Sequence, residues 1–211
     1  MRYEDFRREY TAGGLSRAAL DACPIRQFEQ WFEQASQSLL VDPTAMVLAC
    51  VDEQGVPSQR IVLLKGVSSA GFVFFTNYTS SKARAIESQP VVSAHFPWNA
   101  LDRQVIVRAT AVKVSREESA QYFASRPRES QIAAWASQQS RPVTSRSELE
   151  SAARQVREQF AGKAVPVPDF WGGYRLVPDR MEFWQGGAHR LHDRFVYSRA
   201  GEDWHIEQLQ P

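Results

Sequence analysis

Eleven residues near the C-terminal end, Trp184 to Arg194 (WQGGAHRLHDR), carry two glycines, two histidines, two arginines and an aspartate. That is more reactive side-chain chemistry than a connecting loop needs. His189 and His192 with Asp193 could begin a metal shell, but Arg190 and Arg194 repel a cation and no third histidine or cysteine cluster completes the set. The arginines favour an anion instead, and arginines fixed beside a reacting centre supply both orientation and charge stabilisation. A hairpin connection with its charges in solvent is the plainer alternative, and the density of functional groups weighs against it.

Three further runs could hold anions. Tyr122, Arg126 and Ser130 recur at every fourth residue, a spacing that aligns them on one helix face. Pro127 biases Arg126 away from helical geometry, so the segment reads as one helix ending and a second starting at Pro127. The three side chains then converge near a helix N-terminus, where a phosphate is favoured. Thr76 to Lys82 (TNYTSSK) ends a strand in hydroxyl-rich residues and opens a helix with a lysine in its first turn. It can cradle a phosphate or simply cap the helix with Ser80 or Ser81. Arg60 to Lys65 (RIVLLK) is an apolar strand with a cation at each end. Five is an odd separation, so a regular strand puts the two charges on opposite faces, to serve different places.

The elements that position these runs are mostly strands. Pro24 to Ser38 spaces Ile25, Phe28, Trp31, Phe32 and Ala35 as an amphipathic helix. Ala45 to Val51, Arg60 to Val67, Gly71 to Thr76, Val91 to Phe96 and Gln104 to Val114 are β-branched and aromatic runs divided by EQGVP and SSAG turns. They predict an antiparallel meander or barrel, interrupted by a short helical pattern at Ser80 to Ser88. The period becomes helical from Arg116 to Gly162, and strands return at Tyr174 to Leu176, Arg180 to Trp184, Arg194 to Tyr197 and Trp204 to Gln208. Strands on both sides make residues 116–162 a helical excursion from one β domain spanning 24–211, preceded by an arm, 1–23.

The 211 residues, 43% hydrophobic, suffice for a sizeable core, and a formal net charge of +1 gives no global reason to expect nucleic acid or a membrane surface as partner. Arginine outnumbers lysine 21 to 4, so only the positions of particular arginines carry information. Cys23 and Cys50 form no CxxC pair, which suits a reducing compartment without a disulfide framework or zinc site. Met1 to Tyr10 lacks the apolar core of a signal peptide and no run approaches a membrane span, so a cytoplasmic location is expected. No GxGxxG or GxxxxGK[ST] occurs, and a nucleotide cofactor, if bound, is held without a Rossmann turn or P-loop.

Together, RREYTAGGL, DPTAMVLA, QRIVLLK, SRPRESQIAAWASQQS, FWGGYR and EFWQGGAHRLHDRF resemble the pyridoxine/pyridoxamine 5'-phosphate oxidase family, from about Arg7 to Pro211. The resemblance implies a mainly β (α+β) chain, an antiparallel split β-barrel of the FMN-binding type with flanking helices. It also implies a homodimer with FMN in clefts between subunits. The implied reaction is oxidation of pyridoxine 5'-phosphate and pyridoxamine 5'-phosphate by oxygen to pyridoxal 5'-phosphate, with peroxide released and ammonia from the amine. Flavin reduction by a nicotinamide donor, and storage of FMN or pyridoxal phosphate without turnover, are the two rivals on such a barrel.

Residue by residue, the resemblance assigns the FMN phosphate to Arg60 and Lys82, aided by Ser81. Ile61, Val62, Leu63, Leu64, Lys65, Phe75 and Thr76 lie along the cofactor, and Gln104, Gln139, Ser140, Trp184 and Arg194 complete its site, several from the partner chain. Lys65, Tyr122, Arg126 and Ser130 hold the substrate phosphate. Arg190 and His192 lie over the substrate ring, with Arg7 and Tyr10 on an arm that closes on it. Arg190, His192 and Asp42, the last as a proton acceptor or simply a turn cap, form the catalytic set, and no metal is expected. Three positions depart from the family pattern: Ser81 replaces a frequent arginine, Phe75 a tyrosine and Ala188 a glutamate. Ser81 predicts FMN binding through fewer ionic contacts.

Overall fold

The computed structural model describes residues 2–5, 9–10 and 13–211; Arg7 of the expected arm lies outside the described residues. Helix α1 (Pro24–Ser36) starts with a proline in its first turn and buries Ile25, Phe28, Trp31 and Ala35. It ends two residues before the expected Ser38, where the Gln37 and Ser38 N–H groups turn back to Glu33 and Ala35. Phe28 meets the rings of Phe72 at 4.8 Å and Phe96 at 4.9 Å, and Trp31 meets Phe183 at 5.2 Å. The helix therefore seals the apolar side of the sheet, each such aromatic contributing about 2–3 kcal/mol by burial.

Among the described residues nine strands build that sheet: β1 (Ala45–Val51), β2 (Pro57–Leu63), β3 (Gly66–Ser68), β4 (Gly71–Asn77), β5 (Val91–Trp98), β6 (Arg103–Lys113), β7 (Trp171–Gln185), β8 (Asp193–Ala200) and β9 (Asp203–Leu209). All pairings are antiparallel, in the order β2-β1-β5-β6-β7-β4-β3, with β8 and β9 continuing from β7. β1 shows the period of two, with Met46, Leu48 and Cys50 inward. The run expected as one strand, Arg60 to Val67, is two. Leu64 turns into the core and bonds the Thr44 carbonyl, while the Lys65 N–H bonds Val73 across the sheet. The two edge strands are thus joined by only Leu64 and Lys65, which requires the sheet to curl until its ends meet, as in a barrel.

The opposite difference occurs in β7, where two expected strands are continuous. β7 pairs β6 from Tyr174 to Gln185, but its other edge pairs β4 from Trp171 to Leu176 and β8 from Arg180 to Gln185. The changeover coincides with a register shift opposite Pro178 and Asp179, bridged by the Arg108–Asp179 ion pair at 2.6 Å. A bulge there splays the sheet, splitting the barrel along one side.

Helix α2 (Ser81–Ser88) follows β4, and α3 (Arg116–Ser125), α4 (Arg128–Ala136) and α5 (Arg146–Gln159) form the excursion between β6 and β7. Ser80, Ser115 and Ser145 cap α2, α3 and α5 by accepting from the third residue onward. The excursion has its own small core, Phe123, Ile132 and Phe160 with Val165 and Trp171. Ser119 ties it to the sheet at Gly173. Among the described residues no helix is long and apolar enough to cross a membrane.

Two buried phenols predict an alkaline limit. Tyr174 and Tyr197 are 3% and 0% exposed, and burial pushes both well above the ordinary tyrosine range. The unfolded chain then ionises first, so stability present below about pH 10 is lost as pH rises above it. Urea unfolding at pH 8 and pH 11 should show a large drop, smaller in Tyr197→Phe; an equal drop in that variant counts against Tyr197 as a cause.

Candidate active site

A cleft of about 660 Å³ opens where β2, the end of β4, the start of α2 and the helical excursion meet. Among the described residues its lining includes Arg60, Lys65, Lys82 and Arg126 but no aspartate or glutamate. Ile61, Val62 and Leu63 of β2 supply an apolar wall, and Phe75, Tyr122 and Trp171 an aromatic one.

At one end, Lys82 is 9% exposed, with Nζ at 3.0 Å from Thr76 Oγ1, 3.3 Å from Ser80 Oγ and 3.4 Å from Gln139 Oε1. It pairs with no carboxylate among the described residues. Burial first, and the charge of Arg60 second, hold its ammonium pKa below the ordinary lysine value. Among the described residues the Arg60 guanidinium likewise donates to neutral acceptors, the carbonyls of Leu48 and Ser58 and the Ser58 hydroxyl. The loop after α4 closes over this end: the Ser81 N–H donates to Ser140 Oγ at 3.2 Å, and Ser140 holds a left-handed φ of 71°. Two cations beside a helix N-terminus, with no counter-charge among the described residues, are an arrangement that suits a phosphate.

At the other end, Arg126 has extended backbone geometry (φ −73°, ψ 149°) between α3 and the Pro127 that caps α4, as the proline predicts. Its guanidinium lies over Trp171 at 4.9 Å and Phe123 at 5.5 Å, and its buried Nη1 has no hydrogen-bond partner among the described residues. Burial lowers its pKa, so a bound anion would satisfy both the orphaned donor and the buried charge. Tyr122 stacks on Phe75 at 4.0 Å, both nearly parallel to Trp171. A phenylalanine at 75 serves this stack without a hydroxyl.

Lys65, Phe75 and Tyr122 also line an adjoining hollow of about 550 Å³, which puts Lys65 toward the Tyr122 end. The expectation that Arg60 and Lys65 occupy opposite faces of one strand does not hold. The strand stops at Leu63, alternation ends with it, and both cations line one cleft. Leu64, expected along the cofactor, buries its side chain in the core, and Ser130 is half-buried in the first turn of α4 without lining the cleft.

A second constellation stands apart from the cleft lining. Trp184 lies 4.6 Å from His192, and Tyr10 makes edge contacts with Trp184 at 5.7 Å and His192 at 5.3 Å. The Gly187 N–H donates to His192 Nδ1 at 3.1 Å, which leaves the proton of the neutral ring on Nε2. The loop is sterically demanding: a Cβ on Gly187 would lie 2.0 Å from the Leu191 carbonyl, and His189 and Arg190 hold left-handed φ of 55° and 66°. Two consecutive non-glycine residues there store strain, a frequent mark of functional loops. Arg194 is paired with Glu182 at 2.7 Å, and Gln104 bonds His95 at 3.1 Å. Asp42 accepts from the Thr44 N–H and hydroxyl, a turn cap away from the cleft lining.

Trp171, Asn77 and Ser137 line the cleft without having been expected there. The FWGGYR segment held a signal for Trp171, since two adjacent glycines mark close packing. A Cβ on Gly172 would lie 2.2 Å from Tyr78 Oη, and one on Gly173 2.8 Å from Phe75.

Two family profiles match: pyridoxamine 5'-phosphate oxidase over residues 32–160, and the pyridoxine 5'-phosphate oxidase C-terminal dimerisation region over 171–211. The pyridoxine/pyridoxamine 5'-phosphate oxidase of Aliivibrio fischeri (strain MJ11) is 53% identical over 211 residues, covering 100% of both chains. That of Teredinibacter turnerae is 54% identical over the same span. Among solved structures, PhzG from Burkholderia lata 383 in complex with tetrahydrophenazine-1-carboxylic acid superposes with a TM-score of 0.89 at 29% identity, over 95% of this chain and 99% of that one. A pyridoxamine 5'-phosphate oxidase-related, FMN binding protein from Nostoc punctiforme has a TM-score of 0.71 at 16% identity over 92% and 99%, a likeness of fold alone. The split barrel, the cleft and full-length identity above one half agree: the chain belongs to the pyridoxamine 5'-phosphate oxidase family.

Proposed function

We propose that this chain is an FMN-dependent oxidase converting pyridoxine 5'-phosphate and pyridoxamine 5'-phosphate to pyridoxal 5'-phosphate. Oxygen takes two electrons and two protons to become hydrogen peroxide; the amine substrate also consumes water and releases ammonia. The observation that carries the reading is the carboxylate-free cleft with two cationic ends, Arg60 with Lys82 and Lys65 with Arg126. One end suits the cofactor phosphate and the other the substrate phosphate.

FMN fits the first end because Lys82 is a buried cation whose partners among the described residues are neutral. Arg60, Lys82, Ser81 and Ser140 would hold its phosphate, with Ile61 to Leu63, Phe75, Thr76 and Gln139 beside the rest. When bound, FMN supplies the two-electron acceptor that oxygen regenerates. The chain's own part is binding and placement. Arg126, Lys65 and Tyr122 anchor the substrate phosphate, and the orphaned Arg126 Nη1 gains its acceptor. Arg190 and His192 orient the substrate ring and stabilise charge, while Tyr10 packs on His192. Asp42, engaged in its turn, keeps a capping role.

Trp184, Arg190, His192, Arg194, Gln104 and Tyr10 do not line the cleft of their own chain. A homodimer that sets this constellation of one copy over the cleft of another completes the site, with FMN between them. Ile61 and Leu63, 68% and 39% exposed on edge strand β2, offer apolar surface for such a contact. A cytoplasmic setting accords with free Cys23 and Cys50.

Anaerobic spectra separate oxidase from reductase. Pyridoxamine 5'-phosphate should bleach the flavin of the loaded protein, and NADPH alone should not. Bleaching by NADPH with none by either vitamer would replace the proposal with a reductase.

A further inference from the structure

Ser81 lacks the arginine that the family often places before the lysine, yet the start of α2 is not short of charge. Arg84 lies one turn on, at the i+3 position that shares a helix face with residue 81. Helical side chains lean toward the N-terminus, and Arg84 does so: its Nη2 is 3.4 Å from Ser81 Oγ and its Nη1 donates to the Thr79 carbonyl. A guanidinium over a helix N-terminus is electrostatically disfavoured, because the helix dipole is positive there. Arg84 pairs with no carboxylate among the described residues, and Lys82 beside it is already an uncompensated buried cation. Arg84 is itself exposed and outside the cleft lining, but its guanidinium reaches Ser81, which lines the cleft, so positive charge gathers at the cleft's rim, where an anion is favoured.

We infer that Arg84 is a further binding residue for the FMN phosphate, replacing in this chain the charge that Ser81 does not carry. Arg84 reaches the same place from one helical turn away, and Ser81 leaves the room that its guanidinium needs. The inference rests on the proposed FMN site and deepens it.

Equilibrium titrations of FMN and of riboflavin, read by flavin fluorescence quenching, test it on wild type, Arg84→Ala and the double variant Ser81→Arg/Arg84→Ala. Alanine favours the helix, so α2 is kept. Loss of one partly exposed charge-assisted contact should weaken FMN by about tenfold, leave riboflavin affinity unchanged, and be largely restored in the double variant. Unchanged FMN affinity in Arg84→Ala, or equal weakening of riboflavin, overturns the inference while leaving the FMN site standing. No saturable FMN binding by the wild type overturns both.

Discussion

Lys82→Met is expected to weaken FMN binding by about 100-fold or more, since it removes a buried charge-assisted donor from a dianionic phosphate. The apo protein should be no less stable, and this pairing of effects is the informative part. Lys82 is buried at 9% exposure among Thr76, Ser80 and Gln139, and burial already lowers its pKa, so in the absence of an anion its charge is a cost to the fold. Methionine fills similar volume without that cost, and the hydroxyls can turn to one another. FMN titration together with thermal unfolding of the apo form checks both halves. A destabilised apo protein with unchanged FMN affinity would make Lys82 a structural residue.

Arg190→Met is the second large effect. kcat/KM should fall by about 100- to 1000-fold, the range for losing one preorganised charge at a reacting centre, while FMN affinity changes little. Arg190 is held in a strained left-handed conformation beside Tyr10, at 5.9 Å from its ring, and lines no part of its own chain's cleft. Mixing this variant with Lys82→Met under subunit exchange should therefore restore activity to about a quarter of wild type, because half the dimers then own one intact composite site. Undiminished turnover in Arg190→Met removes it from the catalytic set. Absence of rescue argues that each site is built within one subunit.

How much of this could be read in the chain depends on the range of the forces involved. Local rules worked: Pro127 ended α3 and put Arg126 in extended geometry, and Ser80 capped α2. Tertiary constraints did not show. The inward turn of Leu64, which brings Arg60 and Lys65 to one cleft, is imposed by closure of the sheet, and the continuity of β7 through Pro178 by its pairing with β6 on both sides of the register shift. At the site, the burial of Lys82, the orphaned Nη1 of half-buried Arg126 and the lack of counter-charges among the described residues are tertiary features that no local pattern carries. Ser130 and Asp42 were placed by resemblance; Ser130 sits in the first turn of α4 and Asp42 caps a turn.

The most direct measurement is an aerobic assay of the FMN-loaded protein with pyridoxine 5'-phosphate and with pyridoxamine 5'-phosphate, following pyridoxal 5'-phosphate and hydrogen peroxide together. The account predicts both products in equal amounts from each substrate, with ammonia from the amine only. A flavin-loaded protein that forms neither pyridoxal 5'-phosphate nor peroxide from either substrate would contradict it.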